Sequence, residues 1–191
     1  MLRQSRTITG NSERLHIFLK KLQSQTCTKI LFLGGSVTKG HKAGGKNSAY
    51  PRFFTDWLNA RYPCMVNGTL GSHQSKLTSS AAHSSQEIVV NWPVVDGIES
   101  FDLVLLEFNI NDAFTPNNPH TLEDKGQIGE TVEYRSAWYF EVLVRRLLLL
   151  RKPDPVAIVT FSADYAGNQW ADSGLVKWAK PGEAMSTLVC I

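Results

Sequence analysis

No stretch of this 191-residue sequence holds the ~18 to 20 consecutive apolar residues that a membrane-spanning helix requires. The amino-terminal segment carries basic residues but no continuous apolar core of the kind a secretory leader has, which leans toward an intracellular protein. Cysteine is scarce: Cys27, Cys64 and Cys190 stand far apart without Cys-x-x-Cys spacing. That odd, sparse set argues against a disulfide framework and against a zinc site, and reads as small, partly buried thiols. Charge of one sign is lacking too. The net charge is only +3 and is scattered, so no basic block calls for nucleic acid. Repeats and low-complexity linkers are absent, and 42% hydrophobic residues suffice for one packed core, so 1–191 reads as a single domain. Asn67-Gly68-Thr69 spells a glycosylation acceptor, which without a leader reads as incidental.

What is present is an alternation of helical and extended patterns. Leu15, Phe18, Leu19 and Leu22 fall at helical spacing behind a cap at Asn11 or Ser12. Lys29 to Leu33 reads as a buried strand stopped by Gly34-Gly35. "SAYPRFFTDWLNARYP" predicts a helix capped by Ser48, with Pro51 in its first turn and Phe53, Phe54, Trp57 and Leu58 on its apolar face. Cys64 to Val66 reads as a second short strand, followed by a helix through Ile88 to Asn91. "FDLVLLEFNIND" holds the clearest strand, apolar without a break from Leu103 to Leu106, as expected for a strand covered on both faces. A long helix in "ETVEYRSAWYFEVLVRRLLLLRK", closed by Lys152-Pro153, precedes a fourth strand over Val156 to Phe161. Strands alternating with helices imply parallel crossovers and a three-layer α/β/α domain with a flavodoxin-like sheet of about four strands.

In such sheets ligands bind beyond the carboxyl ends of the strands. The polar residues after the first three strands, Ser36, 67–72 and 109–112, are therefore expected on one edge. The paired glycines before Ser36 allow a tight turn and close approach of a carbonyl, and the Ser36 N–H faces the same space. A backbone N–H of Gly71 and the carboxamide of Asn111 are further donors suited to a developing oxyanion. Each feature alone is ordinary turn chemistry; their placement after successive strands is what points to acyl transfer.

Gly34-Gly35-Ser36-Val37-Thr38, Asn67-Gly68-Thr69-Leu70-Gly71 and Asn109-Ile110-Asn111-Asp112 together resemble the first three blocks of the SGNH (GDSL-like) hydrolases. The resemblance spans residues 29–162 and implies a serine esterase. It makes Ser36 the nucleophile and gives the oxyanion hole to the Ser36 N–H, Gly71 and Asn111. Gly35, Asn67 and Asp112 would be supporting residues. No metal or organic cofactor is implied, and the substrate would be a small-molecule or glycan-linked ester.

The sequence departs from that pattern in three places. Gly-Gly-Ser stands for the usual Gly-Asp-Ser, and Asn109 replaces the glycine that opens the third block. The closing Asp-x-x-His block, which supplies the general base, is missing, and the tail 163–191 is atypical. The chain is thus expected to be C-terminally incomplete relative to the family, without its last strand. Of His16, His41, His73, His83 and His120, His73 and His41 are the candidates to test as base, and Asp164 reads as a loop aspartate. Two rivals stand beside the esterase. One is a non-catalytic or truncated relative that binds acyl or glycan ligands. The other is a nucleotide-binding protein, because Gly40-His41-Lys42-Ala43-Gly44-Gly45-Lys46-Asn47-Ser48 nearly spells a phosphate loop.

Overall fold

A computed structural model describes residues 12–41, 43–80, 83–92, 97–108, 111–112, 131–150, 154–161 and 188–190. Its centre is β1 (Lys29–Gly34), whose residues Ile30 to Leu33 are all fully buried. Alternate side chains of a strand point to opposite faces, and both faces of β1 are covered. Ile30 and Phe32 pack with Phe18 and Leu22 of α1 (Glu13–Gln23) and Leu58 of α3 (Tyr50–Arg61). Leu31 and Leu33 pack with Ile88 and Val89 of α4 (Ser85–Val90) and Leu143, Val144 and Leu147 of α5 (Thr131–Leu149). The result is the expected three-layer α/β/α arrangement. Among the described residues no helix is long and apolar enough to cross a membrane.

β1 lies between β4 (Gln74–Ser79) and β5 (Leu103–Glu107), and β5 pairs with β6 (Ala157–Phe161); all three pairings are parallel. The order β4-β1-β5-β6 makes the chain reverse direction across the sheet between β1 and β5, the crevice where open α/β sheets take ligands. A fifth strand, β7 (Leu188–Cys190), adds antiparallel to β6. The apolar end of the tail is therefore a sheet edge, where the sequence reading had no strand.

The second strand also differs from expectation. Met65–Val66 (β2) and Thr69–Leu70 (β3) form a separate antiparallel hairpin. Its turn, Asn67-Gly68, has φ of +50° and +79°, the two left-handed residues a tight hairpin needs. The strand that joins the sheet is instead the polar segment 74–79, paired in register from Lys29↔Gln74 to Gly34↔Ser79.

The cysteines are a further correction. Cys27 and Cys64 form a disulfide that ties the segment before β1 to the base of the hairpin. Helix starts shift as well: α3 begins after Ala49 with Pro51 in its first turn, while Ser48 lies in a short 3-10 turn (Lys46–Ser48). Phe53 and Trp57 of α3 are exposed rather than core-facing. Asp102 anchors the amino-terminal side of the sheet, accepting from the Lys29 N–H at 2.8 Å and from Lys21 Nζ at 2.9 Å.

Candidate functional site

At the carboxyl end of β1 the chain turns directly into a single helical turn, α2 (Ser36–Lys39), and half-buried Ser36 is its first residue. The first N–H groups of a helix have no intrahelical acceptor. Two close approaches explain the preceding glycines. A Cβ on Gly34 would lie 2.0 Å from Thr38 Oγ1 and 2.7 Å from the Glu107 carbonyl oxygen. A Cβ on Gly35 would lie 1.9 Å from Asn111 Nδ2 and 3.2 Å from the His83 carbonyl oxygen. Gly35 is thus the point where three segments meet: the end of β1, the connection from β4 to α4, and the turn after β5.

Those segments are cross-tied. Asn111 Nδ2 donates to the His83 carbonyl at 2.6 Å, and the Ser85 N–H donates to Asp112 Oδ1 at 2.8 Å. Glu87 accepts from both the backbone N–H and the hydroxyl of Ser84, and the Ser84 side chain accepts from the Glu87 N–H, the reciprocal arrangement that fixes a helix start. Beneath α2 the fully buried Thr38 hydroxyl donates to Glu107 Oε2 at 2.9 Å and sits 3.3 Å from the Tyr50 hydroxyl. Burial raises the Glu107 carboxyl above the usual carboxylate range, outweighing the Thr38 hydrogen bond that favours the ionised form. The Gly35 N–H closes the network on the Glu107 carbonyl at 3.1 Å.

Burial likewise pushes Asp112 from 3.8 up to about 6, against the Ser85 N–H that favours its charge. A carboxyl whose neutral form the fold prefers contributes stability in full below its unfolded value, and that contribution is lost as pH rises through the folded one. Asp112→Asn keeps the oxygen that accepts from Ser85 and removes the charge. Its thermal midpoint is expected to exceed the wild-type value at pH 7 and to converge on it near pH 4. An offset equal at both pH values would show that Asp112 titrates normally.

Of the residues singled out from sequence, Gly35, Ser36, Asn111 and Asp112 gather at this rim, while Asn109 lies outside the described residues. Gly71 does not join them. It precedes β4 and so lies level with the start of β1, roughly 20 Å along the sheet from Ser36 at ~3.3 Å per residue. Its N–H is spent on the Cys64 carbonyl at 2.8 Å, and a Cβ there would meet Cys27 Sγ at 2.6 Å. Gly71 is a glycine for packing beside the disulfide. Asn67 belongs to the same remote hairpin.

His73 is equally remote and structural. It is 3% exposed, with Nδ1 on the Thr28 N–H and hydroxyl and Nε2 2.6 Å from the Tyr62 carbonyl oxygen. His41 has an exposed ring and donates its backbone N–H to the Ser36 carbonyl at 2.9 Å. His83, not favoured from sequence, has its backbone carbonyl at the rim, and its buried Nδ1 has no hydrogen-bond partner among the described residues. The pair Ser84 and Glu87, three apart, was the signal for it: that spacing marks a helix start and so ends the preceding strand before His83. His120 and Asp164 lie outside the described residues. The stretch resembling a phosphate loop is separated from β1 by α2, with Gly40 capping that turn in the left-handed conformation, so it lacks the direct strand-to-loop entry of a phosphate cradle.

No protein-family model and no curated protein matches the sequence. Solved structures do. A two-domain esterase (CEX) active on acetylated mannans, co-crystallized with mannopentaose, superimposes with a TM-score of 0.62 at 17% identity, covering 98% of this chain and 44% of that one. A second structure of an esterase described in the same words gives 0.57 at 18% identity over 97% and 42%. A putative lipolytic protein of the G-D-S-L family from Desulfitobacterium hafniense DCB-2 gives 0.47 at 14% identity over 79% and 69%. This chain therefore spans less than half the length of the two-domain esterase. The likeness establishes the fold: a three-layer α/β/α sheet domain of the kind found in that esterase.

Proposed function

We propose that the chain is an esterase of the SGNH type, with Ser36 as nucleophile and an acetylated glycan as the class of substrate. The observation that carries this reading is the meeting of Gly35-Ser36 with the Asn111 carboxamide at the crevice between β1 and β5, where a Cβ on residue 35 would lie 1.9 Å from Asn111 Nδ2. Ser36 Oγ attacks the acetyl carbonyl as its proton passes to a base; its own N–H and the Asn111 amide stabilise the oxyanion. The oxyanion collapses by breaking the bond to the sugar oxygen, the sugar leaves as the alcohol with that proton, and water then releases acetate from Ser36. The mannan-acting esterase of the same fold supports the choice of an acetylated polysaccharide.

His83 takes the role of proton acceptor in this reading, because its backbone carbonyl is held at the same rim by Asn111 and its Nδ1 has no hydrogen-bond partner among the described residues. Among the described residues no histidine ring is hydrogen-bonded to Ser36, so turnover is expected to be slow, with much of the rate supplied by the oxyanion donors. The same observation favours a second reading, a module that holds acetylated glycan without cleaving it.

Acetate release from acetylated manno-oligosaccharides, followed for the wild type and Ser36→Ala, separates the two. The esterase reading expects slow release that falls to background in Ser36→Ala. Saturable binding with equal, background-level release from both proteins would favour the binding module.

A further inference from the structure

We propose that Asn67 is an acceptor for N-linked glycosylation, at the tip of the β2–β3 hairpin. The sequence Asn67-Gly68-Thr69 meets the chemical requirement, and three structural observations give it meaning. First, Asn67 is exposed in the two-residue turn, and a Cβ built on neighbouring Gly68 meets nothing within 4 Å. Second, the hairpin grows directly from Cys64, which is bridged to Cys27. A structural disulfide belongs to an oxidising compartment, the environment in which asparagine-linked sugars are added. Third, the hairpin displays Met65, Val66 and Leu70 at 41%, 49% and 75% exposure, an apolar surface that a glycan rooted between them would cover.

The donor is a lipid-linked oligosaccharyl diphosphate. A bond forms between the Asn67 carboxamide nitrogen and the anomeric carbon of the first sugar. The bond from that carbon to the diphosphate oxygen breaks, the lipid diphosphate leaves with the electron pair, and the amide proton passes to a base of the transferase. Asn67 stands at the amino-terminal end of the sheet and Ser36 at the carboxyl end, so the glycan leaves the site at Ser36 open. The inference is independent of the esterase reading.

The test directs the full chain into the secretory pathway of a eukaryotic host and maps its peptides before and after peptide-N-glycosidase treatment. Glycosylation predicts a heavier chain that the enzyme trims, with residue 67 recovered as aspartate. Asn67→Gln and Thr69→Ala should abolish the shift, while Thr69→Ser, which keeps the hydroxyl now donated to the Val66 carbonyl at 2.8 Å, should retain it. Lumenal chain that carries the Cys27–Cys64 bridge but an unmodified Asn67 would overturn the proposal. So would conversion of Asn67 only by spontaneous deamidation before Gly68, seen equally without the glycosidase.

Discussion

Gly35→Ala is expected to lower kcat for ester cleavage by about 10²- to 10³-fold, the usual loss when one oxyanion donor is displaced, while the chain still folds. The backbone at Gly35 is not left-handed, since φ is −87°. The obstacle is the new methyl, which would stand 1.9 Å from Asn111 Nδ2 and must push the carboxamide off the His83 carbonyl. KM should change little, because the donor acts on charge that develops after binding. Gly71→Ala is the matched control. Its methyl meets Cys27 Sγ and Val66 Cγ2, so it should lower the thermal midpoint and leave kcat per folded molecule intact. Were Gly71 the oxyanion donor instead, the two phenotypes would be exchanged.

Removing the disulfide by Cys27→Ser and Cys64→Ser together is expected to cost about 4 kcal/mol, the loop-closure entropy of a bridge whose ends are 37 residues apart. Against the ~5 to 15 kcal/mol that holds a typical domain together, that is a large share. Denaturant unfolding of oxidised wild type, reduced wild type and the double variant measures it. Reduced wild type and the variant should share a midpoint well below the oxidised one. Activity per folded molecule should persist, because the bridge and Ser36 lie at opposite ends of β1. Coincident midpoints for oxidised and reduced protein would show that the bridge does not constrain the unfolded chain.

The parts of the fold legible in the sequence were those whose burial leaves a pattern. β1 and β5 are covered on both faces and read as unbroken apolar runs, and Phe18 and Leu22 face the core at helical spacing. The edge strand β4 was not legible. Its sequence, Gln-Ser-Lys-Leu-Thr-Ser, offers one apolar residue because it lies at the sheet edge and is only partly covered. Its identity comes from the ladder to β1, which no periodicity shows. The apolar Met65-Val66 took its place in the reading, although those residues sit exposed in a hairpin.

That one exchange moved half the expected site. Choosing the hairpin put Gly71 and His73 after the second strand, whereas the true strand ends at Ser79 and leads to His83. Ser36 and Asn111 stay at one rim because β1 and β5, which they follow, are neighbouring parallel strands. The disulfide was hidden for a related reason: Cys27 and Cys64 are neighbours only after the hairpin folds back beside the start of β1.

The most direct measurement of the central claim is covalent labelling by a fluorophosphonate, which reacts with a serine activated for acyl transfer. One adduct per chain is expected, mapped to Ser36, formed slowly, absent in Ser36→Ala and greatly slowed in Gly35→Ala. A folded chain with its Cys27–Cys64 bridge intact that stays unlabelled, or that carries the adduct at any other serine, would contradict it.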